Sequence, residues 1–172
     1  MVWCSLVCGN SWAISLMSTD IKNNSMLPQA QLANNFGCSG GNKSPELSWV
    51  DAPKSTKSFA VTAYDPDAPT GSGFWHWIVY DINPNTNRIV SAASKTNSMP
   101  VGSVEGPNDA GFKEYVGVCP PPGTAHHYIF TVYALDVVQL PVKNTATSAI
   151  IRINIMAHTI AKASIITIYS RH

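Results

Sequence analysis

The sequence predicts a mostly β protein, a sandwich or barrel of short strands. Three observations point there. Turn signals punctuate the chain at short intervals, among them Asp51-Ala52-Pro53, Gly71-Ser72-Gly73, Asn83-Pro84-Asn85 and Pro120-Pro121-Pro122-Gly123. The runs between them are rich in β-branched and aromatic residues. Helical periodicity is confined to one stretch near the C-terminus.

Glu46 to Val50, with Leu47 and Trp49, reads as a first strand. Lys57 to Tyr64 places Phe59, Val61 and Ala63 on one face, since side chains alternate along a strand. Phe74 to Ile82 and His127 to Leu135 are longer strands. Alternation groups His76 with Phe74, Ile78, Tyr80 and Ile82. It groups His126 with Tyr128, Phe130 and Val132 and turns His127 the other way. Residues 83–114 read as a long irregular connection, a length that is usually functional or holds small elements of its own. Thr145 to Ala163 has Ile150, Ile153, Ala157, Ile160 and Ala161 at helical spacing and is expected to be a helix. Ile165 to Tyr169 is expected to be a last short strand.

At 172 residues the chain is long enough for one domain with a full core. Only 12% of residues are charged, about half the ~25% of an average globular protein, and the net charge is +1. That balance excludes the electrostatic footprint of a nucleic-acid binder. No apolar run reaches the ~18 residues of a membrane span, so integral membrane association is not expected. Residues 1–17 are apolar, and Ser11-Trp12-Ala13 resembles a cleavage site, but no basic residue precedes them. They read as a clipped export signal or as an N-terminal extension, with the domain at 18–172. Cys4 and Cys8 fall in this segment. Cys38 and Cys119 sit beside tight turns, and form either a disulfide or two buried thiols.

Two polar islands carry the candidate chemistry, Tyr64–Trp77 (YDPDAPTGSGFWHW) and Tyr115–Tyr128 (YVGVCPPPGTAHHY). Each opens on a proline-rich turn and ends with histidine at the start of an apolar strand. Pro66 and Pro69 hold the backbone around Asp65 extended. Gly117 would let a ligand approach the backbone and its amide. His76, His126 and Tyr128 offer hydrogen-bond donors to a phosphate or carboxylate. Asp65 either accepts the N–H of a histidine or faces the cationic end of a zwitterion such as phosphoethanolamine. Asp65, His76 and His126 are also the residue types of a two-His-one-carboxylate metal set, but their spacing gives no support for one and no metal is expected. The chain has no H-E-x-x-H or P-loop motif. A binding site is therefore favoured over an active site, and no cofactor is expected. The alternatives are a protein-interaction or protease-inhibitor module with a vestigial pocket, and a hydrolase using Asp65 and His76.

At these islands the chain resembles the phosphatidylethanolamine-binding protein family, above all its bacterial Raf-kinase-inhibitor-like branch. The motifs are D-P-D-A-P at Asp65–Pro69 with W-H-W at Trp75–Trp77, and G-x-C-P-P at Gly117–Pro121 with H-H-Y at His126–Tyr128. FGCSGGNKSPELSW (Phe36–Trp49), GPNDAG (Gly106–Gly111) and FTVYALD (Phe130–Asp136) support them, so the resemblance runs from about Ser18 to Tyr169. It implies a large central antiparallel sheet, a smaller second sheet and a few short helices. It implies a pocket for phosphate-like anions or phospholipid head groups at Asp65, Pro69, His76, Gly117, Pro120, Pro121, His126 and Tyr128, with Tyr169 at its border. It also implies a role as a modulator of a kinase or protease, although inhibition of an animal-type kinase cascade does not carry over. Cys38 and Cys119 match cysteines of exported bacterial relatives, which implies a disulfide and a periplasmic or secreted protein, with a cytoplasmic one as the alternative. The expected partners are a small anionic or zwitterionic ligand, a kinase or protease, and a second copy of the chain in a homodimer.

Overall fold

The computed structural model describes residues 13–171. Two sheets pack face to face. The larger has six strands in the order β2 (Ser25–Met26), β9 (Thr159–Ser170), β8 (Ala125–Leu135), β4 (Ser58–Asp65), β5 (Phe74–Ile82) and β7 (Val104–Glu105). All its pairings are antiparallel except β2 with β9. The smaller sheet has three strands in the order β1 (Ser15–Met17), β3 (Leu47–Val50) and β6 (Arg88–Ile89). A short helix, α1 (Ala93–Thr96), and a longer one, α2 (Ser148–His158), complete the fold. This is the mostly β, two-sheet architecture expected.

The inner faces of both sheets form the main core. Trp49 of β3 meets Phe59 of β4 with ring centres 5.2 Å apart, and Trp77, Tyr115, Tyr128 and Phe130 are fully buried beside them. A second core lies on the other face of the large sheet. There Ile151 and Ile155 of α2 cover Ala60, Ile78, Tyr80 and Leu135. Alternation along β4 and β8 feeds both cores; Phe59, Val61 and Ala63 share one face as expected, and that face meets the small sheet.

The C-terminal expectation needs correction. The helix stops at His158, and Thr159 leads directly into β9, which holds Ile160, Ala161 and Ala163. Beta-branched residues carry little helix preference, and the edge of β8 offers a ladder from Leu135 to Ala125, broken only by a register shift at Ala134–Leu135. The tertiary pairing overrides the helical spacing. The long connection at 83–114 holds β6, α1 and β7. At the N-terminus, Ile14 is buried and Ser15–Met17 pairs with β3, so these residues are drawn into the fold. The rest of the 1–17 segment, with Cys4 and Cys8, lies outside the described residues. Among those described, no helix is long and apolar enough to cross a membrane.

Simple alternation also fails along β5. Ala63 pairs with Trp77, but Tyr64 pairs with Trp75, so His76 is an extra residue opposite β4. Such a bulge re-aims a side chain. His76 joins Trp77 and Val79 on the inter-sheet face, 5.6 Å from the Tyr128 ring, whereas Ile78 and Tyr80 face α2. A second irregularity near Asp81, whose φ is +56°, returns Ile82 to the inter-sheet side. The expected grouping of His76 with Ile78 and Tyr80 is therefore wrong, and that with Phe74 and Ile82 holds.

Because Ile155 is buried beneath α2 and Ile153 is exposed on its outer side, their truncations separate. Ile155→Ala should cost about 2–5 kcal/mol by urea denaturation, and Ile153→Ala within about 0.5 kcal/mol of nothing. Equal costs would contradict the packing of this helix.

Candidate functional site

A cavity of about 610 Å³ opens at the end of the large sheet where β4 ends and β5 and β8 begin. Asp65, Pro69, His76, Gly117, Pro120, Pro121, His126 and Tyr128 all line it. Its remaining walls come from Phe36, Ala68, Thr70, Phe74, Ala110, Phe112, Val116 and Cys119. Tyr169 lies elsewhere. It pairs with His126 across the ladder but lines a neighbouring groove with Leu27, Cys38 and Arg171.

The floor is built around a buried carboxylate. Asp65 is 3% exposed. Its Oδ1 accepts the Asp67 amide at 2.8 Å, and its Oδ2 accepts from His126 Nδ1 at 2.8 Å. Of the two roles read from the sequence, the geometry shows the one in which Asp65 orients a histidine. Asp67 works on the outer face. There it accepts both the amide and the Nδ1–H of His127 at 2.8 Å, and those hydrogen bonds hold its carboxyl below the ordinary range. The pair ties the turn after β4 to the start of β8.

His76 is held differently. Its Nδ1–H donates to the Val116 carbonyl at 2.9 Å, while the Val116 amide donates back to the His76 carbonyl. The ring lies between Phe74 and Tyr128 and is 6% exposed. Burial lowers its pKa, against the raising effects of the Val116 carbonyl and of Asp65. Tyr128 is 1% exposed, and its hydroxyl has no hydrogen-bond partner among the described residues. Burial, and then the Asp65 carboxylate nearby, raise that phenol's pKa, so it remains a neutral donor. Unpaired buried hydroxyls are costly and uncommon, so this one marks a place for a partner.

Gly117 has a different reason from the one read in the sequence. Its amide donates to Asn42 Oδ1 at 2.6 Å and is not free for a ligand. A Cβ there would stand 2.5 Å from the Ala33 nitrogen and 2.6 Å from the Leu32 carbonyl carbon. Glycine is needed for the crossing of two chain segments.

The loops explain the residues that sequence reasoning missed. Asn108 is buried, donates to the Glu114 carbonyl, and accepts the amides of Ala110 and Phe112. That staple places Ala110 and Phe112 on the cavity wall. Phe36 is 67% exposed with φ +53°, a conformation that a bulky residue seldom adopts unheld. Arg171 Nη1 donates to its carbonyl at 3.2 Å, and the Cys38–Cys119 disulfide fixes the chain two residues on. The GPNDAG and FGC motifs were visible in the sequence; that they deliver aromatic walls was not. Among the described residues no group of three or more His, Cys, Asp or Glu could hold a metal ion.

A two-sheet β protein with a histidine-lined cavity at one end of its larger sheet is the class that fold and site define. A sequence model described as phosphatidylethanolamine-binding protein matches residues 17–170, and the chain belongs to that family. It is 42% identical over 160 residues to the UPF0098 protein YbcL of Escherichia coli K12, covering 91% of this chain and 87% of that one. It is 42% identical over 158 residues to the UPF0098 protein YbhB of the same organism, covering 91% of this chain and all of the relative. The crystal structure of Escherichia coli YbcL, described as a new member of the mammalian PEBP family, superposes with a TM-score of 0.88 at 41% identity. That match covers 92% of this chain and 99% of the other.

Gly117→Ala should destabilise the fold, since the added methyl meets backbone that cannot swing aside. Overpacking of this kind costs about 1–3 kcal/mol or more. An unchanged melting temperature would show that the Leu32–Ala33 segment yields.

Proposed function

We propose that this protein is a non-catalytic binder of a small anion or a phosphate-bearing head group. The observation that carries the reading is the convergence of His76, His126 and the unpartnered Tyr128 hydroxyl in one cavity. Hydrogen-bond donors on a buried floor suit an oxyanion, and they are worth more there than in water. The apolar walls, with Phe36, Phe74 and Phe112, suit the organic part of such a ligand.

Two features favour binding over catalysis. Asp65 pairs with His126, while His76 is tied to a backbone carbonyl, so the expected Asp65–His76 hydrolytic pair is not assembled. No hydroxyl or thiol among the described residues is hydrogen-bonded to the Nε2 of either histidine, as an activated nucleophile would be. A regulatory role towards a kinase or protease is the extension that the family resemblance supports. The Cys38–Cys119 bridge supports an oxidising, exported location. If both cysteines alkylate without reductant in protein recovered from its native compartment, the export reading fails.

Phosphate, phosphoethanolamine and citrate test the pocket by thermal shift and calorimetry. Saturation at 100 times Kd should stabilise by about 2.7 kcal/mol. His76→Ala and His126→Ala should each remove the shift. Stabilisation that survives both substitutions would place binding elsewhere, and none at millimolar ligand would reject the anion reading.

A further inference from the structure

Each imidazole at the floor has one nitrogen committed to the interior. The Val116 carbonyl can only accept, so the hydrogen of neutral His76 sits on Nδ1. Its Nε2, which has no hydrogen-bond partner among the described residues, then carries a lone pair. His126 also turns Nδ1 inward, but towards a carboxylate. Asp65 accepts that bond, and both its oxygens are already engaged. Among the described residues, no carboxylate lies within hydrogen-bond distance of His76. An oxyanion entering the cavity therefore meets one imidazole backed by a carboxylate and one, His76, backed only by a carbonyl, whose Nε2 lone pair repels it.

We propose that anion binding here is coupled to uptake of one proton by His76, so that the site takes a fully ionised oxyanion only together with that proton. This rests on the anion-binding reading. The proton comes from solvent, bonds to Nε2, and is donated as a hydrogen bond to the anion; it returns to solvent when the anion leaves. The charged and titratable groups around His76 are Asp65 from β4, Asp109 from the loop after β7, and His126 and Tyr128 from β8. Asp65 and Asp109 favour its protonation, and His126 opposes it. Asp109 is already engaged by the Trp75 amide and the Ser148 hydroxyl. Burial keeps free His76 below its ordinary pKa, and a bound anion raises it. Between those two values affinity rises as pH falls, by up to about tenfold per pH unit; outside them it is flat.

The test is calorimetric titration with sulfate, whose own charge is constant near neutral pH, in buffers of different ionisation enthalpy. The apparent binding enthalpy should vary linearly with buffer ionisation enthalpy, with proton uptake approaching one per site. In His76→Gln, whose amide still offers a donor but cannot take up a proton, the remaining sulfate binding should show neither that slope nor pH dependence. Histidine Cε1–H resonances of the unaltered chain give a second reading, in which sulfate raises the His76 pKa. Sulfate binding with no slope and no shift in that resonance overturns the coupling and leaves anion binding intact. A full slope in His76→Gln overturns the assignment to His76. No binding of sulfate, phosphate or phosphoethanolamine in any buffer overturns both readings together.

Discussion

A carboxylate taken out of water costs several kcal/mol unless its oxygens are engaged, and Asp65 is nearly enclosed. Its two hydrogen bonds set the geometry of the cavity floor. The Asp67 amide folds the turn after β4 back on itself, and His126 is drawn to the other oxygen. Loss of either partner would leave a buried charge short of a bond. The enclosure of Asp65 therefore constrains both the turn that carries Pro69 and the histidine at the start of β8. On the opposite face Asp67 and His127 repeat the arrangement in the open, where it is worth far less.

The walls depend on that floor without contributing charge. Proline-bearing turns, the Asn108 staple and the disulfide each fix one segment at the cavity rim. Rigid walls of this kind reduce the ordering cost of binding. The result is a site whose polar groups sit deep and whose mouth is aromatic.

Much of this was legible in the sequence because it rests on local patterns. The strand Phe74–Ile82 was read with the bounds found, and the parity of β8 correctly turned His127 away from His126 and Tyr128. All residues carried over at the pocket except Tyr169 line one cavity. What escaped was long-range. Ile160 and Ala161 continue a helical spacing, and only the free edge of β8 makes them a strand. Gly117 looked like a ligand contact, because nothing in the sequence shows the Leu32–Ala33 backbone pressed against it. Phe36 and Phe112 carry no signal of their own; their place is set by a staple and a covalent tie elsewhere.

The bulge at His76 has a consequence for chain length. A strand with one extra residue differs from a regular one by a single insertion, and removing it would restore plain alternation. The pairs on either side, Tyr64 with Trp75 and Ala63 with Trp77, would be kept, and the cavity would lose the imidazole that the extra position supplies. Shortening that stretch by one would remove the position that presents His76 to the cavity. The spacing between the D-P-D-A-P turn and the second tryptophan is thus a count that carries information, independent of which residues fill it.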